Sequence, residues 1–224
     1  MADADDFILP FQVGDGAVRG RIVRMGAAID AILKPHQFAD AASELVGEAV
    51  VLASLMGSSL KFDGKLIFQA QGDGAVRMLV ADYASDGAVR ATASISGAPS
   101  TRGLAVLMGK GHLAITIDQG PDMERYQGVT PIEGRTLEEA AIAYFDQSEQ
   151  IPTAVKLAVG KVYRQGGGEE WRAGGVIVQF MPGEGGARER GEAVLKSDED
   201  EEAWSRASAF LNTTQADELL DPSL

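Results

Sequence analysis

Between Val89 and Ile95 the chain alternates strictly: Val89, Ala91, Ala93 and Ile95 fall on one side of an extended backbone, and Arg90, Thr92 and Ser94 on the other. That period of two marks a strand with one dry and one wet face. Two more runs rich in Val, Ile, Leu and Phe precede it, Lys65 to Gln71 and Ala75 to Ala81. Gly72-Asp73-Gly74 and Tyr83-Ala84-Ser85-Asp86-Gly87 separate the three. Glycine supplies positive φ and Asp bonds its own backbone, so both breaks predict hairpins and Gly64 to Ile95 predicts an antiparallel meander. The string Asp-Gly-Ala-Val-Arg recurs from Asp15, Asp73 and Asp86 at spacings of 58 and 13 residues. No fixed period results, so the string reads as reused turn chemistry rather than a structural repeat.

Before the meander, Phe7 to Val13 and Val18 to Met25 predict two strands around Gly14-Asp15-Gly16, and Ala27 to Leu33 a short helix. From His36 to Met56 the residues Phe38, Ala42, Leu45, Val46, Ala49, Val50, Leu52, Ala53 and Met56 recur at helical spacing, with Pro35 suited to the first turn and Gly57 to the end. This helix is expected to be the spine of the core, packed on the dry face of the meander. After it, Leu104 to Met108 predicts a helical turn, and His112 to Ile117 and Tyr126 to Ile132 predict strands. Thr136-Leu137-Glu138-Glu139 predicts a capping box opening a helix to about Gln150, which Pro152 stops. Val155 to Arg164 and Trp171 to Phe180 predict two more strands around Gly166-Gly167-Gly168.

Composition shifts after Pro182. The stretch from Gly183 to Glu202 has little to bury and reads as a linker, and Glu201 to about Asn212 predicts an amphipathic helix with Trp204, Ala207, Phe210 and Leu211 as its apolar stripe. Four such groups need a partner surface to be stable. The expected architecture is α+β: antiparallel or mixed sheets with packed helices over residues 1–182, then an acidic, helical linker arm over 183–224.

Charge narrows the partners. The formal net charge is −13, which disfavours nucleic acid and anionic membranes, since both need basic surface. From Gly183 to Leu224 there are 11 acidic against 4 basic residues, a net of −7, so more than half of the excess lies in the last fifth. The opening Met1-Ala2-Asp3-Ala4-Asp5-Asp6 is acidic where a secretory signal is basic. The longest mostly apolar run, Ala49 to Met56, is far short of the ~20 residues that cross a bilayer. A soluble, unexported protein is expected. The chain contains no cysteine, which excludes disulfides, thiolate zinc sites and thiol nucleophiles within it.

No catalytic constellation emerges. The only histidines are His36 and His112, one at a helix start and one at a strand start. Gly109-Lys110-Gly111 ends a stretch reminiscent of a phosphate loop, but the spacing from Gly103 is one residue too long and Gly111 stands where Ser or Thr would hold magnesium. A nucleotide-dependent enzyme using this loop, and a structural dimerisation module built on the Trp204 stripe, remain the alternatives to a binding protein.

The stretch Tyr144-Phe145-Asp146-Gln147-Ser148-Glu149-Gln150-Ile151-Pro152-Thr153 resembles the Tyr-Phe-x-x-Ser-Glu-Gln-Ile-Pro-Thr signature of the redox-regulated 33-kilodalton heat-shock chaperones, also called 33 kDa chaperonins. Further landmarks follow in family order: Val18-Arg19-Gly20, Leu60-Lys61-Phe62-Asp63-Gly64, Gln69-x-Gln71-Gly72-Asp73-Gly74, Tyr126-Gln127-Gly128-Val129 and Ala173-Gly174-Gly175. The resemblance spans about residues 7–220. It implies an ATP-independent holdase of the bacterial cytoplasm, active under oxidative stress, commonly dimeric, that binds unfolding client proteins and is not an enzyme. It implies a signature made by Tyr144, Phe145, Ser148, Glu149, Gln150, Pro152 and Thr153, and no catalytic or cofactor-binding residue.

In the family a C-terminal domain holds zinc through four cysteines, and oxidation releases the metal and unfolds the linker. With no cysteine, this chain offers no thiolate for that zinc, and it is expected to be a fragment of a longer protein, the alternative being a natural member that lacks the switch. The linker helix is then expected to cover client-binding surface on the core sheet through Trp204, Phe210 and Leu211, so that Trp204→Ala or Phe210→Asp would bare it.

Overall fold

The computed structural model describes residues 5–13, 17–60, 63–120, 123–163, 168–181 and 198–221, with 198 and 199 described by backbone alone. The turn Gly14-Asp15-Gly16, the pair Lys61-Phe62, the break at Gly166-Gly167 and the linker over 183–197 lie outside the described residues. Among the described residues nine strands form two antiparallel sheets. The first contains β1 (Phe7–Val13), β2 (Val18–Met25), β9 (Glu169–Phe180) and β8 (Thr153–Tyr163), in the order β1-β2-β9-β8. The second contains β5 (Val89–Ile95), β4 (Val76–Ala84), β3 (Lys65–Gly72), β6 (Gly111–Asp118) and β7 (Tyr126–Pro131), in the order β5-β4-β3-β6-β7.

The predicted meander is β3-β4-β5. Val89, Ala91, Ala93 and Ile95 turn towards the core while Arg90, Thr92 and Ser94 are exposed. Its two turns use glycine for different reasons. At Gly87 the φ of +89° is one that only glycine adopts freely, and Asp86 Oδ1 accepts the Ala88 N–H at 3.0 Å. Gly72 and Gly74 have no positive φ; they are bare because the backbone ending α3 (Leu104–Met108) crosses them, and a Cβ on Gly72 would stand 2.0 Å from the Met108 carbonyl oxygen.

The first helix, α1 (Ala27–Leu33), has no capping side chain of its own. Asp6 supplies the cap from across the chain, its Oδ1 accepting N–H from Gly26 at 2.8 Å and Ala28 at 3.2 Å. Next, α2 (Asp40–Gly57) begins later than the apolar pattern from His36 suggests. Lys34–His36 form a separate 3₁₀ turn, Gln37 takes a left-handed φ of 50°, and His36 stacks on Phe38 at 4.8 Å.

Packing of α2 on the meander alone is too simple. Fifteen of its 18 residues are buried, because α2 lies between the two sheets and touches β2, β8 and β9 as well as β3, β4 and β5. Its apolar surface therefore runs all round, as in a helix enclosed on both sides. The main core lies here, joining Val23, Ile29, Leu52, Phe68, Leu79, Ile115, Trp171 and Ile177.

At α4 (Leu137–Tyr144) the Thr136 hydroxyl accepts the Glu139 N–H at 3.2 Å as expected, while the Glu139 carboxylate reaches back to the N–H of Arg135 at 2.6 Å, one residue before the cap. The helix widens into a π turn over Phe145–Glu149 before β8. Beyond the linker, α5 (Asp198–Thr213) is followed by α6 (Ala216–Leu220), a short helix the apolar pattern does not signal.

Candidate functional site

The first sheet buries both faces. Its inner face carries Val23, Ala173 and Ile177 into the main core, and its outer face forms a second cluster of Val18, Ala158, Val176, Val178 and Phe180. Helices α5 and α6 lie over this outer face, touching β8 and β9, and α5 reaches β2. The cover contributes the buried side chains Ala203, Leu211 and Leu219, with Trp204, Ala207 and Leu220 partly buried beside them. Phe210, expected in the contact, is 76% exposed. The apolar stripe is thus Ala203, Trp204, Ala207 and Leu211, and Phe210 falls just off its edge, pointing to solvent.

Glycines shape the landing surface. A Cβ on Gly174 would meet the Leu219 carbonyl oxygen at 2.4 Å, and one on Gly160 would meet Leu220 Cδ1 at 3.2 Å. Gly175 points the other way, where a Cβ would stand 2.6 Å from Val51 Cγ1 of α2. Ala173-Gly174-Gly175 therefore admits one helix on each face. A polar contact joins β2 and α6: Arg24 Nη2 donates to the Glu218 carbonyl at 3.4 Å.

The signature residues gather at the α4–β8 junction. Tyr144 is buried, and its hydroxyl donates to Glu149 Oε1 at 3.2 Å; the Tyr126 hydroxyl donates to the same oxygen at 3.1 Å. Burial, then the Glu149 carboxylate, push the Tyr144 hydroxyl far above the usual phenol range. Phe145 is buried, edge-on to Tyr144 at 5.7 Å between centroids. Gln150 takes a left-handed φ of 53°, the Pro152 carbonyl accepts the Phe180 N–H at 2.9 Å, and Thr153 Oγ1 donates to the Ile151 carbonyl at 2.9 Å. Ser148 is half-buried in the same turn. Together these groups make an architectural joint that swings the chain from one sheet to the other. A Cβ on Gly128 would stand 2.5 Å from the Tyr144 hydroxyl, which explains the glycine of the β7 landmark.

The Gly109-Lys110-Gly111 loop is already engaged. Asp73 Oδ1 accepts the Lys110 N–H at 2.7 Å, and the Asp73 and Gly74 N–H groups donate to the Lys110 and Met108 carbonyls at 3.0 and 2.8 Å. A carboxylate of the chain itself thus sits where a phosphate loop would offer its amide, and the loop clamps the β3–β4 turn.

A third feature was not signalled by any motif. Between α2, α3 and α4 lies a recess of about 290 Å³ lined by Glu44, Glu48, Leu45, Leu107, Arg102 and Leu137, among others. Arg102 pairs bidentately with Glu44. Glu48 has no such partner: burial first, then the carboxylates of Glu138 and Glu44, push its carboxyl up to about 8. In the sequence this residue is one more polar position on an amphipathic helix, so nothing marked it. Among the described residues no group of three or more His, Cys, Asp or Glu is placed to hold a metal ion, and the chain has no cysteine for a thiolate zinc site.

A model of the family described as Hsp33 protein matches residues 6–224. The chain belongs to the Hsp33 family. Among its Hsp33 relatives, a 33 kDa chaperonin of Caulobacter vibrioides is 47% identical over 98% of this chain and 72% of its own length. One from Shewanella loihica is 34% identical over 96% of this chain and 68% of its own. The crystal structure of the Thermotoga maritima 33 kDa chaperonin superposes with a TM-score of 0.67 at 26% identity, covering 77% of this chain and 60% of that one. The α+β fold of two antiparallel sheets and packed helices is accordingly that of Hsp33.

Proposed function

We propose that this chain is an ATP-independent holdase that binds unfolding proteins through the outer face of its first sheet once α5 and α6 lift away. The observation that carries this reading is the thin cover: a helix pair that, among the described residues, buries Ala203, Leu211 and Leu219, with Trp204, Ala207 and Leu220 partly buried, lies over Val18, Ala158, Val176, Val178 and Phe180. A fully buried Leu contributes roughly 1.5–3 kcal/mol, so the cover is held by little and belongs to the low-stability part of the fold. Beneath it lies a contiguous apolar face of the kind that captures apolar segments when bared. The chaperonin name of the relatives supports the chaperone part of the reading.

Recognition by such a face is adaptable and does not read a client's sequence. The net charge of −13 suits a cytoplasmic protein that keeps bound clients in solution and avoids nucleic acid and anionic membranes. The redox switch implied by the resemblance has no thiol among these residues, and the reading proposed here turns on the stability of the cover. The homodimer belongs to the same proposal, and light scattering over a dilution series tests it. The deciding experiment dilutes a chemically unfolded client into buffer containing the full chain, under reducing conditions and without ATP. Suppressed aggregation at near-stoichiometric ratio, stronger still for Leu211→Asp, is the expected result; aggregation unchanged by both proteins overturns the reading.

A further inference from the structure

We propose that the recess between α2, α3 and α4 binds a primary alkylammonium group, with the Glu48 carboxylate as its counter-ion and leucine side chains around its alkyl chain. This stands apart from the holdase reading, since the recess lies in the main core and not under α5 and α6. The argument begins with what Glu48 lacks. Glu48 is half-buried, yet it makes no hydrogen bond or ion pair among the described residues. Its oxygens are not sealed in, because Glu48 lines the recess and retains some accessible surface. A carboxyl drawn out of water without a partner is costly in its charged form, and the carboxylates of Glu138 and Glu44 oppose that charge further.

The charged neighbours are accounted for element by element. One turn earlier on α2, Glu44 is taken by the Arg102 guanidinium that precedes α3. On α4, Glu138 accepts the Leu157 N–H at 2.6 Å. Ahead of α4, Arg135 is 90% exposed and faces Glu139 at 3.8 Å. Both cations that line the recess among the described residues, Arg102 and Arg135, therefore face another carboxylate or solvent, and a cation that enters meets a carboxylate with nothing else to bind.

The shape selects the rest of the ligand. Leu45, Leu104, Leu107 and Leu137 line the walls, which suits a chain of a few methylene groups rather than a hydrated metal ion. About 290 Å³ accommodates butylammonium or the side chain of lysine. Both sources present the same chemistry, a free amine or a lysine of another polypeptide.

Binding at pH 7 must expel the proton that Glu48 holds, so the ligand brings one positive charge and about 0.9 proton leaves. Affinity should then rise roughly fifty-fold between pH 6 and pH 8, reaching a Kd on the order of a millimolar. The test is titration calorimetry of the full chain with n-butylammonium at pH 7 in two buffers of different ionisation enthalpy, repeated at pH 6 and 8. Nα-acetyl-lysine amide as a second titrant separates the sources: binding of both assigns the recess to lysine side chains, and binding of butylammonium alone to free amines. Expected are proton release, tightening with pH, loss of binding in Glu48→Gln and no competition from butanol, the neutral isostere. Binding without proton release, equal binding by Glu48→Gln, or no binding at tens of millimolar overturns the proposal. The proton count is read on the unmodified chain and does not depend on how the variant folds.

Discussion

Gly174 and Leu219 meet backbone to backbone: a Cβ on Gly174 would stand 2.4 Å from the Leu219 carbonyl oxygen. The close approach is what seats α6 on the sheet, and it can be removed without disturbing the other face. Gly174→Val should lift α6, erasing hydrogen-exchange protection over Ala216–Leu220 while the strands stay protected. At the next residue Gly175→Val drives a side chain into Val51 of α2 and should cost the whole fold about 1–3 kcal/mol by overpacking. Equal global losses for the two variants would contradict this division of the glycine pair.

Leu211 and Phe210 are neighbours with opposite roles, one 3% and the other 76% exposed. Leu211→Asp should detach α5 and raise the fluorescence of a hydrophobic dye several-fold, because a carboxylate cannot stay against Val176 and Phe180 without a partner. Phe210→Asp should leave the dye signal unchanged or lower it, since the ring lies outside. Trp204→Ala, at a half-buried position, should fall between them.

Local pattern made most elements legible. The alternation Val89 to Ile95, the Asp-Gly turn at Gly87 and the Thr136 cap each depend on residues within a few positions of one another, and each stands where such reasoning puts it. Distance in sequence defeats the same reasoning. The enclosure of α2 on both sides follows from β2 pairing with β9, where Val18 faces Phe180, and no local pattern reveals that partner. Phe210 lies outside the contact that the spacing predicts because stripe and edge of a helix differ by one residue, about 100° of rotation. The five-residue α6 is too short to show a period. Of the site, the signature was readable as a string, but its work as a joint between sheets required Glu149 to be seen beneath two tyrosine hydroxyls.

That joint gives a non-additive prediction. Tyr144→Phe removes one of two hydrogen bonds to Glu149 and should cost about 1 kcal/mol. Gly128→Ala places a methyl group 2.5 Å from the same hydroxyl and should cost about 1–3 kcal/mol by displacing the ring. In the double variant the closest clashing atom is gone, so its loss should be smaller than the sum of the two, by 0.5 kcal/mol or more. Denaturant unfolding of the four proteins measures the coupling, and strict additivity would mean that the ring's edge and not its hydroxyl sets the fit.

The Glu48 carboxyl connects stability to pH. Its value rises from the ordinary 4.5 in the unfolded chain to about 8 in the fold, through burial first and then Glu138 and Glu44. The folded state therefore holds more protons than the unfolded state across that interval, and stability must fall as pH rises. The group's contribution is intact below pH 4.5, declines through the interval, and is fully lost above about pH 8. Glu48→Gln keeps the shape of the neutral acid and removes the titration, so it should be more stable than the parent by on the order of 5 kcal/mol at pH 9 and nearly equal to it at pH 4.5. Because the other carboxylates titrate in both proteins, the difference between their unfolding free energies isolates this one. A difference that does not change with pH would mean that Glu48 ionises freely at neutral pH, and the desolvated site at the heart of the α2–α4 contact would then have to be abandoned.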